Sequence, residues 1–339
     1  MPRVLVIGLG GTIAMGRGTD GVVPDLDVAQ LLAVPGLAET GIDVAVTDLR
    51  KVPSSSLTFD DLEAVLAVVA DHLGGRLDGT DPVDGVVVTQ GTDTIEETAF
   101  HFDIRHDRPE PLVVTGAMRN PTLAGADGPA NLLAAVQVAA DPAARDRGCL
   151  VVFADEVHAA ARVLKTHSSS IATFQSPDGG PLGYVVEGRA ELVNDAIGRW
   201  TAPPPRPAAA ATTTTTPAPR VALVTTTLGD DATLVDGLAD RCDGVVVAGF
   251  GVGHVPAVLV EPLEALADRV PVVLASRPGV GPVLVATYGF SGSGTDLLRR
   301  GLVSAGRLHP YKARVLLRAL LAAGSSRADV AAAFGSAVP

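Results

Sequence analysis

Gly85-Val86-Val87-Val88-Thr89-Gln90-Gly91-Thr92-Asp93-Thr94-Ile95-Glu96-Glu97 decides how this chain of 339 residues folds. Three valines in a row, with no polar alternation, read as a strand buried on both faces, as in a parallel sheet covered by helices. Gly91 permits a turn, and Glu96 and Glu97 suit the first turn of a helix starting near Ile95. Strand, polar loop and helix in that order make half of a βαβ unit.

The same rhythm runs outward in both directions. Residues 4–7, 28–32, 44–47, 60–73, 85–89 and 95–103 alternate between β-branched runs and helical patterns, followed by 112–115, 126–140 and 150–153. This predicts a larger, doubly wound α/β N-terminal domain with a mostly parallel sheet, over residues 1–200. Residues 201–219 shift to proline, alanine and the run Thr212 to Thr216, which has no periodicity and nothing to bury, and read as a linker. The alternation resumes at 221–224, 245–248 and 272–275, and helical patterns at 313–322 and 327–334 follow. A smaller α/β C-terminal domain over 220–339 is the expectation, and no repeat at a fixed period is present.

Composition narrows the function classes. The chain is 47% hydrophobic with a net charge of -12, and no Lys/Arg cluster forms a stripe for phosphates, which argues against nucleic acid as a partner. The acidic surface disfavours anionic membranes, and no apolar run reaches the roughly 18 residues of a spanning helix. Met1-Pro2-Arg3 leads directly into a strand without a leader pattern, so the expected address is cytoplasmic. Cys149 and Cys242 each border an apolar strand and read as buried thiols rather than a disulfide. The seven histidines show no HExxH or similar ligand spacing, so no metal is expected.

Ligands of open parallel sheets bind beyond the carboxyl ends of the strands, which directs attention to the loops starting at Gly8, Thr89, Thr115 and Ala154. Gly8-Leu9-Gly10-Gly11-Thr12-Ile13 lacks the third glycine of a dinucleotide fingerprint and the Gly-Lys-Ser/Thr of a phosphate loop. Two glycines before a threonine let the chain turn sharply, present amide N–H groups and expose a hydroxyl. Thr12 is therefore a candidate nucleophile, the alternative being an ordinary glycine-rich turn. In the second loop Thr92 and Asp93 are candidates for chemistry or for capping the following helix. Lysine occurs only at Lys51, Lys165 and Lys312. Unlike arginine, lysine can be tuned into a base, so Lys165 within Val163-Leu164-Lys165-Thr166-His167 is a candidate to deprotonate Thr92 with Asp93 orienting it. A surface lysine at a strand end is the alternative.

Together these segments resemble the bacterial-type L-asparaginase family. The resemblance is carried by Gly10-Gly11-Thr12-Ile13-Ala14, by Gly91 to Thr98, by Thr115-Gly116-Ala117-Met118-Arg119 with Gly125-Ala126-Asp127-Gly128, and by Ala172 to Pro177 with Gly180-Pro181-Leu182-Gly183. Tyr288-Gly289-Phe290 and Lys312-Ala313-Arg314-Val315-Leu316 extend it into the second domain. The resemblance implies a two-domain α/β enzyme, homodimeric or homotetrameric, with its site in the larger domain near a neighbouring subunit's smaller one. It implies hydrolysis of the small amide L-asparagine to L-aspartate and ammonia, without a metal or organic cofactor. By position, Thr12 would attack the amide carbon, and Thr92, Asp93 and Lys165 would relay protons and activate water. Gly11, Ser54, Ser55, Gly91 and Ala117 would bind substrate, although the Ser54-Ser55-Ser56 run also reads as a helix N-cap region before Asp60.

The sequence departs from the family at two places. Val22 stands where a lid tyrosine is expected to contact the nucleophile, and Gly281-Pro282-Val283 replaces the segment that supplies a glutamate from a neighbouring subunit. Loss of an acid for the α-ammonium group makes a modified or peptidic asparagine the alternative substrate. A low-turnover sensor of aspartate or asparagine is the alternative outside enzymes. Gln90, where many relatives carry histidine, is expected to support its loop. His158, His167 and His254 are expected to be structural.

Overall fold

In the computed structural model the described residues are 1–11, 13, 15–18, 21–24, 30, 32, 34–74, 82–195, 198–205 and 218–335. Thr12, the expected element at 28–32 and most of the expected linker lie outside the described residues, except for 30, 32 and the linker's ends; for Val22 only the backbone is described. The chain divides into two units, residues 1–196 and 197–339.

The first unit carries β1 (Arg3–Gly8), a ribbon of β2 (Met15–Gly18) and β3 (Gly21–Pro24), β4 (Asp43–Asp48), β5 (Gly85–Thr89), β6 (Leu112–Thr115), β7 (Cys149–Phe153) and β8 (Glu156–Ala159). It continues with β9 (Leu164–Lys165), β10 (Phe174–Gln175), β11 (Gly183–Val186) and β12 (Arg189–Leu192), and its helices are α1 (Phe59–Leu73), α2 (Ile95–Asp103) and α3 (Gly128–Ala140). Eight strands form one sheet in the order β12-β11-β8-β7-β6-β5-β1-β4. Pairing is parallel from β4 through β7 and antiparallel from β7 to β12.

The valine runs are continuous because both faces of the parallel strands are covered. Val4, Val6, Val87, Val113, Leu150 and Val152 pack with Leu132, Ala135, Val136 and Ala139 of α3 on one face. On the other, Leu5, Ile7, Val86, Val88, Leu112 and Val114 pack with Leu62, Val65 and Val69 of α1 and Ile95, Ala99 and Phe102 of α2. From β1 the chain goes to β4 on one side and then to β5 on the other, so the winding reverses at β1. The crevice beyond the carboxyl ends of β1 and β5 is therefore the switch point where doubly wound sheets bind ligands.

Local details correct the sequence reading. The serine run does not cap α1: Thr58 does, in a reciprocal capping box with Asp61, and Ser54–Ser56 forms a separate 3-10 turn upstream. The helix expected from residue 126 begins at Gly128, and the antiparallel extension was not expected. Cys149 is buried and Cys242 half-buried, and both are free thiols. Among the described residues no helix is long and apolar enough to cross a membrane.

The second unit holds the parallel sheet β13 (Val221–Thr225), β14 (Gly244–Gly249), β15 (Val272–Ser276) and β16 (Val303–Ser304) in that order. Its helices are α4 (Val260–Arg269), α5 (Gly294–Arg299), α6 (Pro310–Ala322) and α7 (Arg327–Gly335). Leu263 and Leu266 of α4 join Val245, Val247 and Leu274 in its core. Helix α6 begins three residues earlier than its pattern predicts, because Pro310 fits the first turn and His309 caps it, Nδ1 accepting from Tyr311 N.

Burial, and secondarily the Lys312 charge, push the His309 imidazole down to about 4. A base whose pKa falls on folding gives stability that is complete above its unfolded value of about 6.5 and is lost as pH falls towards 4. The upper bound on this contribution is about 3 kcal/mol. Thermal melts between pH 7 and 4 should show a steeper fall in Tm for the wild type than for His309→Asn, which keeps a capping oxygen and does not titrate. Equal slopes would refute the assignment.

Candidate active site

Three loops meet at the switch point. Leu9 N donates to Thr89 O at 2.9 Å, tying the loop after β1 to the end of β5. Gly10 and Gly11 follow with φ of 91° and 87°, left-handed conformations that favour glycine. A methyl group on Gly11 would lie 2.0 Å from Gly91 N, so the two glycine loops touch backbone to backbone. A methyl group on Gly91 would in turn lie 2.7 Å from Ser54 Oγ. Ser54 is buried, and its Oγ accepts from Asp93 N at 3.2 Å, whereas Ser55 is exposed on the same turn.

Thr92, Asp93 and Lys165 come together from segments more than 70 residues apart. Lys165 Nζ donates to Thr92 Oγ1 and to Asp93 Oδ1, each at 2.8 Å. Thr92 is buried and the Lys165 side chain is 14% exposed, whereas that of Asp93 is 67% exposed and opens to solvent. Capping is not what these side chains do. The residue at the N-cap of α2 is Thr94, whose side chain makes no cap bond, and Thr92 and Asp93 turn to the lysine instead. Lys165 does end a strand, and its ammonium is bonded and mostly covered there rather than free at the surface.

Lys165 ends β9, which among the described residues pairs with β10, placing Lys165 opposite Phe174. Its main-chain N–H donates to Glu96 Oε2 at 3.1 Å. Sequence reading saw Glu96 only as an acidic first-turn residue and missed this contact.

The third loop, after β6, is locked by residues the pattern analysis did not assign. Asn131 Nδ2 donates to Gly116 O at 3.0 Å and to Asp127 Oδ2 at 3.1 Å, and its Oδ1 accepts from Ala154 N at 2.9 Å. Asp127 also accepts from Met118 N and Arg119 N, at 3.0 and 2.8 Å. Ala117 is buried between these anchors, in one cluster with Ile13. The Asn131 bond to Ala154 supports a hairpin turn in which Ala154 and Asp155 have φ of 51° and 61°, a left-handed pair costing roughly 1–2 kcal/mol per residue. The Gly125-Ala126-Asp127-Gly128 motif was the available signal for this network.

Gln90 is fully buried, and its Nε2 donates to Gly91 O and Thr94 Oγ1, both at 3.2 Å, which braces the second loop. His158 Nδ1 lies 3.0 Å from Ser176 Oγ inside the fold, and His167 Nδ1 accepts from Ser169 N and Ser170 N. His254 lies in the second unit, its ring centroid 4.9 Å from those of Tyr288 and Phe290. Among the described residues no three His, Cys, Asp or Glu side chains form a metal-binding group.

A lysine held against a threonine hydroxyl and a carboxylate, over the switch point of a doubly wound sheet, is an arrangement able to move protons to and from a hydroxyl. Residues 3–198 match the model of the asparaginase N-terminal domain, and residues 220–334 that of the glutaminase/asparaginase C-terminal domain. A probable L-asparaginase of Deinococcus radiodurans is 36% identical over 100% of this chain and 98% of its own length. L-asparaginase 2 of Escherichia coli is 32% identical over 95% and 89%. The crystal structure of a probable cytoplasmic L-asparaginase from Campylobacter jejuni superposes with a TM-score of 0.81 at 30% identity, covering 99% of this chain and 100% of that one. The chain belongs to the asparaginase family.

Proposed function

We propose that this protein hydrolyses the side-chain amide of L-asparagine to give L-aspartate and ammonia, using Thr12 as nucleophile. The observation that carries the reading is Lys165 Nζ lying 2.8 Å from both Thr92 Oγ1 and Asp93 Oδ1, beside the loop that bears Thr12. Thr12 Oγ attacks the amide carbon, its proton passes to the amide nitrogen, the C–N bond breaks and ammonia leaves. Water then attacks the aspartyl ester, and its proton returns to Thr12 Oγ. Lys165, Thr92 and Asp93 carry these protons, and backbone N–H groups of the two glycine loops hold the oxyanion, where loss of one donor typically costs on the order of 10²-fold in rate.

Gly11, Gly91, Ser54 and Ser55 border the place of the substrate's α-carboxylate and α-ammonium groups, with Asp93 as the exposed acid. Ala117 offers its carbonyl to the amide. We further propose a cytoplasmic homodimer or homotetramer with the 201–219 segment joining its domains; the Campylobacter jejuni relative is described as cytoplasmic, although a Haemophilus influenzae one is described as periplasmic.

A second reading keeps the mechanism and changes the substrate to an asparagine whose α-amino group is blocked. It is favoured by Gly281-Pro282-Val283, where no acid stands and Val283 is buried in the second unit's core. Ammonia release should be measured for free L-Asn, L-Gln, D-Asn and α-acylated asparagine. Turnover of L-Asn that falls by at least about 10³-fold in Thr12→Ala supports the first reading. Turnover confined to the acylated substrate supports the second. Binding of asparagine with no ammonia from any amide refutes both and leaves a sensor.

A further inference from the structure

We infer that Glu96 is a positioning residue for Lys165, fixing the lysine's main chain so that its Nζ reaches Thr92. The inference rests on the reading that Lys165 works in the site, and it assigns Glu96 a task beyond helix stabilisation.

Glu96 is 7% exposed, an unusual state for a carboxylate, since burying one costs several kcal/mol unless it is bonded. A glutamate recruited only for the helix dipole would gain its few tenths of a kcal/mol at the surface. Glu96 instead turns inward and accepts from Lys165 N, 69 residues away in sequence. Lys165 needs such an anchor. Its strand is two residues long and pairs with another two-residue strand outside the eight-stranded sheet, and the neighbouring Thr166 and His167 bond to Thr173 of that same ribbon, so these bonds fix the ribbon internally and Glu96 ties it to α2.

One short segment, Thr92 to Glu96, thus holds the lysine at both ends. Glu96 takes the main-chain N–H, and Thr92 and Asp93 take the ammonium. A shift of about 1 Å in a catalytic group can cost on the order of 10²-fold in rate, so the anchor acts on turnover more than on substrate affinity.

The test compares Glu96→Gln, which keeps the reach and an acceptor oxygen but loses the charge, with Glu96→Asp, which keeps the charge but is one methylene short. Steady-state ammonia release from L-Asn and thermal melting are measured for both, with Lys165→Met as reference. Glu96→Asp is expected to lose about 30-fold or more in kcat with KM within about threefold, and Glu96→Gln to stay within about fivefold of wild type. The inference is overturned if Glu96→Asp keeps wild-type kcat, if Glu96→Gln falls as far as Glu96→Asp, or if KM rather than kcat absorbs the loss. If Lys165→Met itself turns over like the wild type, the functional reading fails instead, and that result is distinguishable from the others.

Discussion

Replacing Lys165 with methionine is expected to lower ammonia release from L-asparagine by at least about 10³-fold while the protein still folds. The magnitude follows from position: Nζ is the donor shared by Thr92 Oγ1 and Asp93 Oδ1, so its removal disconnects both. Groups that act as a unit lose nearly the whole unit's effect when one member is deleted. Stability should fall by a few kcal/mol at most, short of unfolding the chain. Methionine keeps the apolar stem of a side chain that is already 14% exposed, and the buried Thr92 hydroxyl left without its partner costs about 1–3 kcal/mol. Lys165→Arg is not expected to rescue, because a guanidinium cannot give up its proton at any working pH. A methionine variant with more than a tenth of wild-type kcat would remove Lys165 from the mechanism.

Gly11→Ala is the second large effect, and it should damage both fold and turnover. Its φ of 87° already penalises an L-residue, and the new methyl would sit 2.0 Å from Gly91 N and 2.3 Å from Gly91 Cα. Those are backbone atoms, so no flexible side chain can yield. Either loop must move, and moving Gly91 drags Thr92 and Asp93 with it. A loss of more than about 3 kcal/mol in denaturant unfolding, with at least about 10²-fold in kcat for the fraction that folds, is expected. Gly180→Ala is the control: φ there is 78° but nothing lies within 4 Å of a methyl, so only the conformational cost of about 1 kcal/mol remains. Equal losses at the two glycines would show that the close approach of the loops is unimportant.

Much of this architecture was legible in the chain. Parallel strands buried on both faces must be apolar throughout, so Val86-Val87-Val88 and Val245-Val246-Val247 declared themselves. The antiparallel extension β8-β11-β12 was not legible, because its strands are four residues long and Tyr184 and Val186 are exposed, which blurs any alternation. Of the site, Lys165 stood out only because lysine is rare here. Thr92 and Asp93 were ambiguous until the lysine was seen to reach them, since the same residues also suit a helix start. Glu96 was hidden for a deeper reason. Its partner is a main-chain N–H, which every non-proline residue owns, so no side-chain pattern can announce it. Ser55 remains exposed on its turn, whereas Ser54 is committed to Asp93 N.

The ribbon that carries Lys165 has a consequence for how the protein breathes. Amides of β1 and β5 are expected to exchange only when the large sheet comes apart, whereas the Lys165 amide, on a two-residue strand, donates to the Glu96 carboxylate. Its exchange with solvent hydrogen should report a smaller cooperative unit than global unfolding does. The residue proposed to carry protons is then expected to open with a smaller unit than the sheet beneath it.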